Sequence, residues 1–288
     1  MKNRTMLLIY VIWTVLLGAG EGIWLYTLMD KYYDASTNAF NASNSALLPF
    51  KIFLAFSVAL AAVIAVLPRK STSKSVKFPK AIYTVTAAIF AFSGVASAVL
   101  MLTNRPSAGS RIFVVLTWLC IFAAFASAAH FCFKALGKND RAEYFSLSLP
   151  LWAIFAIASS YFNSDFTYTN FIRTLLSLVL AAVLLFFLAY VRELLGKKYS
   201  VLKALSSAAA LILGTSYITA RLIYVLKNGG FLLSDALEAA LIGAMIFIAV
   251  SAIYEKKPTT AETPAEIIEN DDASASESDG KSPEQTEE

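Results

Sequence analysis

The sequence predicts an all-α polytopic membrane protein, a bundle of about eight transmembrane helices with an acidic tail. Three observations carry that expectation. Hydrophobic residues make up 58% of the chain and charged ones 15%, with a mean hydropathy of +0.63, whereas soluble domains carry about 25% charged residues. Eight apolar runs are each long enough to cross a ~30 Å hydrocarbon core at ~20 residues per crossing. Charge is segregated: residues 1–257 hold 23 Lys and Arg against 10 Asp and Glu, while 258–288 hold one Lys and ten acids.

The first run follows Lys2 and Arg4 and continues to about Met29. Met6–Leu17 has the look of a signal-peptide core and Gly18-Ala19-Gly20 of a cleavage site, yet the apolar run goes on through Gly22-Ile23-Trp24-Leu25-Tyr26. That continuation favours an uncleaved first helix. Span two is expected over Ala46–Leu67, span three over Ala81–Thr103, span four over Ile112–Phe133 and span five over Tyr144–Phe162. Spans six, seven and eight follow at Phe171–Val191, Val201–Leu226 and Leu232–Tyr254. Pro49, Pro79 and Pro106 fall near span ends, where a missing N–H matters least, and Pro150 predicts a kink within span five.

With the N-terminus inside, the inner loops and tail collect seventeen Lys and Arg and the outer side seven. Positive charge concentrates on the cytoplasmic side of membrane proteins. The expected location is therefore the plasma (inner) membrane with both termini cytoplasmic. The basic excess lies in short loops, so it is a topology signal and gives no reason to expect nucleic acid as a partner. Residues 1–257 form one helical bundle, and 258–288, rich in Thr, Ser, Pro, Glu and Asp, lack the apolar content to bury a core and are expected to be disordered. Ser274, Ser276 and Ser278 in that tail leave room for a protein partner or phosphorylation.

Sliding the sequence by 120 residues aligns Ser57 and Leu60-Ala61-Ala62-Val63 with Ser177 and Leu180-Ala181-Ala182-Val183, and Gly94 with Gly214. A parallel four-plus-four duplication would give that match, as would chance similarity between Ala/Leu/Val-rich helices.

Chemistry-bearing residues concentrate in the outer halves of the spans. Arg221 lies inside span seven, where an arginine costs about 2.5–3.5 kcal/mol on insertion scales, so it is expected to face the bundle interior or snorkel outward. Ser207, Ala210, Gly214, Tyr217, Arg221 and Tyr224 recur at steps of three and four and form one helical stripe. Glu21, between Gly20 and Gly22 of span one, is a candidate ion-pair partner for Arg221. The flanking glycines permit close helix approach or local unwinding. Lys51, Asp165, Arg173, Asp235 and Glu238 belong to the same leaflet, with Asp235 and Glu238 on one helical face. Candidate substrate-binding residues are therefore Glu21, Arg173, Tyr217, Arg221, Tyr224 and Glu238. Structural ion pairs or interfacial end residues account for the same set. Gly18/Gly22, Ser93/Ser97, Ala124/Ala128 and Ala239/Gly243 are small-residue packing faces.

Cys120 and Cys132 fall in one helix, ~18 Å apart at 1.5 Å per residue, and cannot bridge each other. His130 is the lone histidine, which excludes a multi-histidine metal site. No GxSxG, HExxH, Walker or dinucleotide-binding motif occurs, so neither a catalytic residue nor a cofactor is expected. Asp30 and Asp34 would be a weak acidic pair for a lipid-linked transferase. Two readings remain: a small-solute transporter or membrane solute-binding subunit with an outward-facing polar site, and a non-catalytic scaffold or regulator acting through its tail.

Overall fold

The computed structural model describes residues 2–34, 39–40, 45, 47–66, 78–103, 111–162, 171–195, 200–228 and 233–254. The acidic tail, Pro106 and Asp165 lie outside the described residues. Where the chain is described it is a multi-pass helical bundle. The helices are α1 (Lys2–Tyr32), α2 (Leu47–Val66), α3 (Lys80–Thr103), α4 (Arg111–Ala135), α5 (Asn139–Tyr144), α6 (Ser148–Phe162), α7 (Phe171–Leu194), α8 (Ser200–Asn228) and α9 (Leu233–Tyr254). Eight helical segments are long and apolar enough to span a membrane. In lipid the backbone must satisfy its own hydrogen bonds, which a continuous helix does. Two two-residue strands, β1 (Tyr33–Asp34) and β2 (Ala39–Phe40), pair antiparallel just after α1, a detail the hydropathy pattern does not carry.

Span five is interrupted as Pro150 predicts, a few residues upstream of the proline. Pro150 itself lies in the first turn of α6. Its ring would meet the carbonyl four residues back, that of Ser146, and the chain leaves helical form at 145–147, separating α5 from α6. The end of α4 is equally local in origin. Gly137 has φ 76°, with Lys138 N–H donating to the Phe133 carbonyl at 2.9 Å and Gly137 N–H to the Lys134 carbonyl at 3.1 Å. That is a Schellman stop, which needs a residue tolerant of the left-handed conformation.

Packing follows the small-residue faces. α8 is the hub and touches α1, α2, α7 and α9, while α3, α4, α6 and α7 form a connected wall and α9 packs on both α3 and α8. α7 is the most enclosed span and α2 the least. On α2, Leu48, Ile52, Phe56 and Val63 are exposed, whereas Phe50, Leu54, Ser57, Ala61 and Ala65 are buried. The exposed set is the face such a helix offers to lipid. Phe247 of α9 centres an aromatic cluster with Phe78, Tyr83, Phe131, Phe186, Phe187 and Tyr190, at centroid separations of 4.9 to 6.4 Å.

Helix directions can be read from cross-helix contacts. Gly18 meets Ile212 and Thr215, Gly22 meets Ser216, Thr219 and Ala220, and Asp30 meets Lys227, so α1 and α8 run parallel. Ser93 Oγ donates to the Ala236 carbonyl at 2.7 Å and Phe90 packs at Gly243, so α3 and α9 run antiparallel. Thr117 lies 3.1 Å from Ser159 and Ser127 3.0 Å from Ser148, so α4 and α6 do too. These are the directions that eight alternating crossings require. A duplicated architecture does not emerge: α1 and α2 pack on α8, but their counterparts α6 and α7 make no comparable contact with α3 among the described residues.

Candidate functional site

Glycines create the contact on which the candidate site is built. Tyr10, Val11, Thr14, Gly18, Glu21, Gly22, Leu25, Leu28 and Met29 are the buried face of α1. A Cβ added at Gly22 would lie 2.6 Å from both the Ser216 carbonyl oxygen and Thr219 Cβ, and one at Gly18 would lie 2.8 Å from the Ile212 carbonyl oxygen. Only a residue without a side chain allows the backbones this close. α1 is helical throughout, so of the two roles foreseen for these glycines the structure adopts close approach and not unwinding.

That approach encloses Glu21. The residue is 2% exposed, and neither carboxylate oxygen has a hydrogen-bond partner. Ser57 of α2 faces the carboxylate without completing a hydrogen bond. Ser216, on the segment of α8 that Gly22 touches, is also fully buried with an unsatisfied hydroxyl. Thr86, Ser97 and Trp152 carry the other unsatisfied buried atoms among the described residues, and all of these are neutral groups. Glu21 stands apart because burying a carboxylate without a partner costs several kcal/mol, far more than an unmet hydroxyl.

The expected Glu21–Arg221 pair does not form. Arg221 Nε lies 4.0 Å from Glu238 Oε2 of α9, and the guanidinium sits over the Tyr224 ring at 5.6 Å. Two features of α8 explain the change of partner. The Ser207, Ala210, Gly214, Tyr217, Arg221 stripe faces α9, as the contact of Gly214 with Met245 shows, whereas α1 docks on residues 212, 215, 216, 219 and 220. At 100° per residue, Thr219 and Arg221 point to nearly opposite sides of the helix. The parallel register also sets Arg221 about level with Leu25, ~6 Å from Glu21 along the helix axis toward the C-terminal ends of α1 and α8.

The remaining predicted residues divide between two places. Tyr217 is buried on the stripe, and Tyr224 and Glu238 are half-buried beside Arg221. Arg173 belongs elsewhere: it donates to the Tyr161 carbonyl of α6 and lies 5.3 Å from the Tyr161 ring, while Ser177 Oγ bonds back to its carbonyl at 3.0 Å. Lys51 lies 5.0 Å over the Phe171 ring. Asp30 accepts from Lys227 at 3.0 Å and from Tyr26, an exposed clasp between the C-terminal ends of α1 and α8. The Asp235 side chain lies outside the described residues, as do Asp34 and Asn170.

A second polar set lies at the opposite end of the bundle. His130 is fully buried, with Nδ1 2.7 Å from the Ala142 carbonyl and Nε2 3.3 Å from Tyr190 Oη. Lys203, 7% exposed, pairs with Glu193 at 2.6 Å and lies 5.9 Å from the Phe186 and Tyr190 rings. Counting Lys203 as an inner-loop charge misses this. The signal was present, since Lys203 extends the Ser207–Ala210–Gly214 stripe by one turn. These groups are all engaged, so the set reads as packing that fastens α4, α7 and α8.

Among the described residues no group of three or more His, Cys, Asp or Glu is arranged to hold a metal. Cys120 and Cys132 are separate free thiols. No family model matches the chain, and no curated protein or solved structure was found similar to it.

Proposed function

We propose that this membrane protein is a transporter, or the membrane-embedded binding subunit of one, for a small charged or zwitterionic solute. The proposed orientation has both termini in the cytoplasm and the polar centre in the outer half of the inner membrane. One observation carries the reading: Glu21, a carboxylate buried at span depth with no partner. Structural polar groups in protein interiors are satisfied, and the unsatisfied exceptions ask for a functional reason. Ionisable residues within spans are rare and mark substrate and ion pathways, which makes such a residue a functional-site candidate by default. One turn outward, Arg221 and Glu238 offer opposite charges from adjacent helices, with Tyr217 and Tyr224 on the same stripe as Arg221. That arrangement suits a solute bearing both signs of charge. Arg173, engaged at Tyr161, is proposed as a separate cationic position that the solute meets on its way to this centre.

The test uses purified protein and radiolabelled amino acids, carboxylic acids and polyamines, read by binding and by uptake into proteoliposomes. Glu21→Gln and Arg221→Ala are each expected to abolish uptake of whichever class the wild type takes, with unfolding midpoints preserved. A solute at a hundredfold excess over its Kd should stabilise the wild type by about 2.7 kcal/mol and the variants by much less. Full activity in both variants would sink the assignment. If activity instead disappears on deleting 258–288 while Glu21 is dispensable, the scaffold reading replaces it.

A further inference from the structure

Glu21 is not simply one more lining residue, because the geometry around it asks for a positive charge that no described residue supplies. Three helices close on it. α1 brings the carboxylate, α2 brings Ser57, and α8 brings Ser216 on the segment touched by Gly22. The nearby cations are committed elsewhere: Arg221 to Glu238 and the Tyr224 ring, Lys227 to Asp30, and Lys51 over Phe171. Glu238 of α9 is turned to Arg221. What remains is a carboxylate and two hydroxyls, all oxygen donors, two of them buried and unsatisfied.

We propose that Glu21, with Ser57 and Ser216, is the site of one exchangeable monovalent cation, Na+ or a proton, whose occupancy is coupled to the solute. Hard oxygen ligands are the chemistry such cations take, and transporters place coupling-ion sites near the bilayer midplane beside the solute. The proposal deepens the transport reading and rests on it for the coupling. Cation binding itself needs no solute, so the two can fail separately. The contact of Gly22 with α8 gives a route for coupling: filling the site alters how α1 seats on α8, and α8 also carries Arg221.

The experiment measures equilibrium binding of ²²Na+ to the full-length protein in detergent, with choline replacing sodium at constant ionic strength. In parallel, infrared difference spectra follow the protonated carboxyl stretch as pH is raised. Sodium as occupant gives saturable binding near one ion per chain, lost in Glu21→Gln and weakened about tenfold in Ser216→Ala, the loss of one ligand contact. A proton as occupant gives no sodium binding but a carboxyl band that disappears on raising the pH and is missing in Glu21→Gln. Sodium binding unchanged in Glu21→Gln overturns the proposal, as does a carboxyl band that persists at every pH without sodium binding. Cation binding without response to any solute would leave the cation site standing and remove the transport reading.

Discussion

A single missing Cβ decides how α1 sits on α8, and the three glycines at residues 18, 20 and 22 separate that role from mere helix flexibility. Gly18 and Gly22 face Ile212, Thr215, Ser216 and Thr219, whereas nothing lies within 4 Å of a Cβ placed on Gly20. Gly22→Leu is therefore expected to push the helices apart and destabilise the protein by about 1–3 kcal/mol, the usual cost of overpacking. Gly20→Ala should be neutral or stabilising by up to about 1 kcal/mol, since alanine is the better helix former. Denaturant titration in mixed micelles measures both, and equal effects at positions 20 and 22 would contradict the close approach. At this scale the sequence was partly legible. The value of Gly18 and Gly22 as a pair follows from their spacing, and Glu21 follows from being charged within an apolar run. The partner of Arg221 does not follow, because it depends on which side of α8 each neighbour takes, a tertiary fact that helical spacing leaves open.

Elements were more readable than residues, and each miss has a local cause. Spans two, three, six, seven and eight end within a few residues of prediction, because apolar length is dictated by the bilayer and not by neighbours. Span five differed, since Pro150 acts on the carbonyl four residues upstream and divides the segment into α5 and α6. Lys203 was hidden for the opposite reason: a lysine at a span end can snorkel or turn inward, and only the aromatic faces of Phe186 and Tyr190 decide it. Inter-helix register gives a direct check. Ser127 and Ser148 hydroxyls are 3.0 Å apart, and Thr117 and Ser159 are 3.1 Å apart. Paired cysteines at these positions, in a variant with Cys120→Ala and Cys132→Ser, should oxidise to disulfides, because their Cβ atoms fall within bridging reach. Cross-pairing Ser127→Cys with Ser159→Cys should give none. Mobility shifts on non-reducing gels read the result, and a disulfide in the crossed pair alone would refute the antiparallel α4/α6 register.

For the whole molecule, two independent signals bear on orientation, and they come from different parts of the chain. Contacts make α1 and α8 parallel, α3 and α9 antiparallel, and α4 and α6 antiparallel, directions that agree with alternating crossings irrespective of charge. Lys and Arg, seventeen against seven, are the reason for the proposed side, on which the loops after spans two, four and six lie with both termini. Alternation without charge bias would leave two mirror-related topologies; charge bias without alternation would leave the span count open. In the proposed orientation Glu21 and Arg221 lie in the half of the bilayer that an external solute reaches first. Single cysteines replacing Ser107 and Gly230, in the cysteine-free background, should therefore react with a membrane-impermeant maleimide added to intact cells. Cysteines replacing Thr72 and Lys197 should react only after permeabilisation. The inverted labelling pattern would move the Glu21 site to the cytoplasmic half and turn the proposed uptake system into one loaded from inside. Labelling of all four positions from one side would contradict the alternation itself.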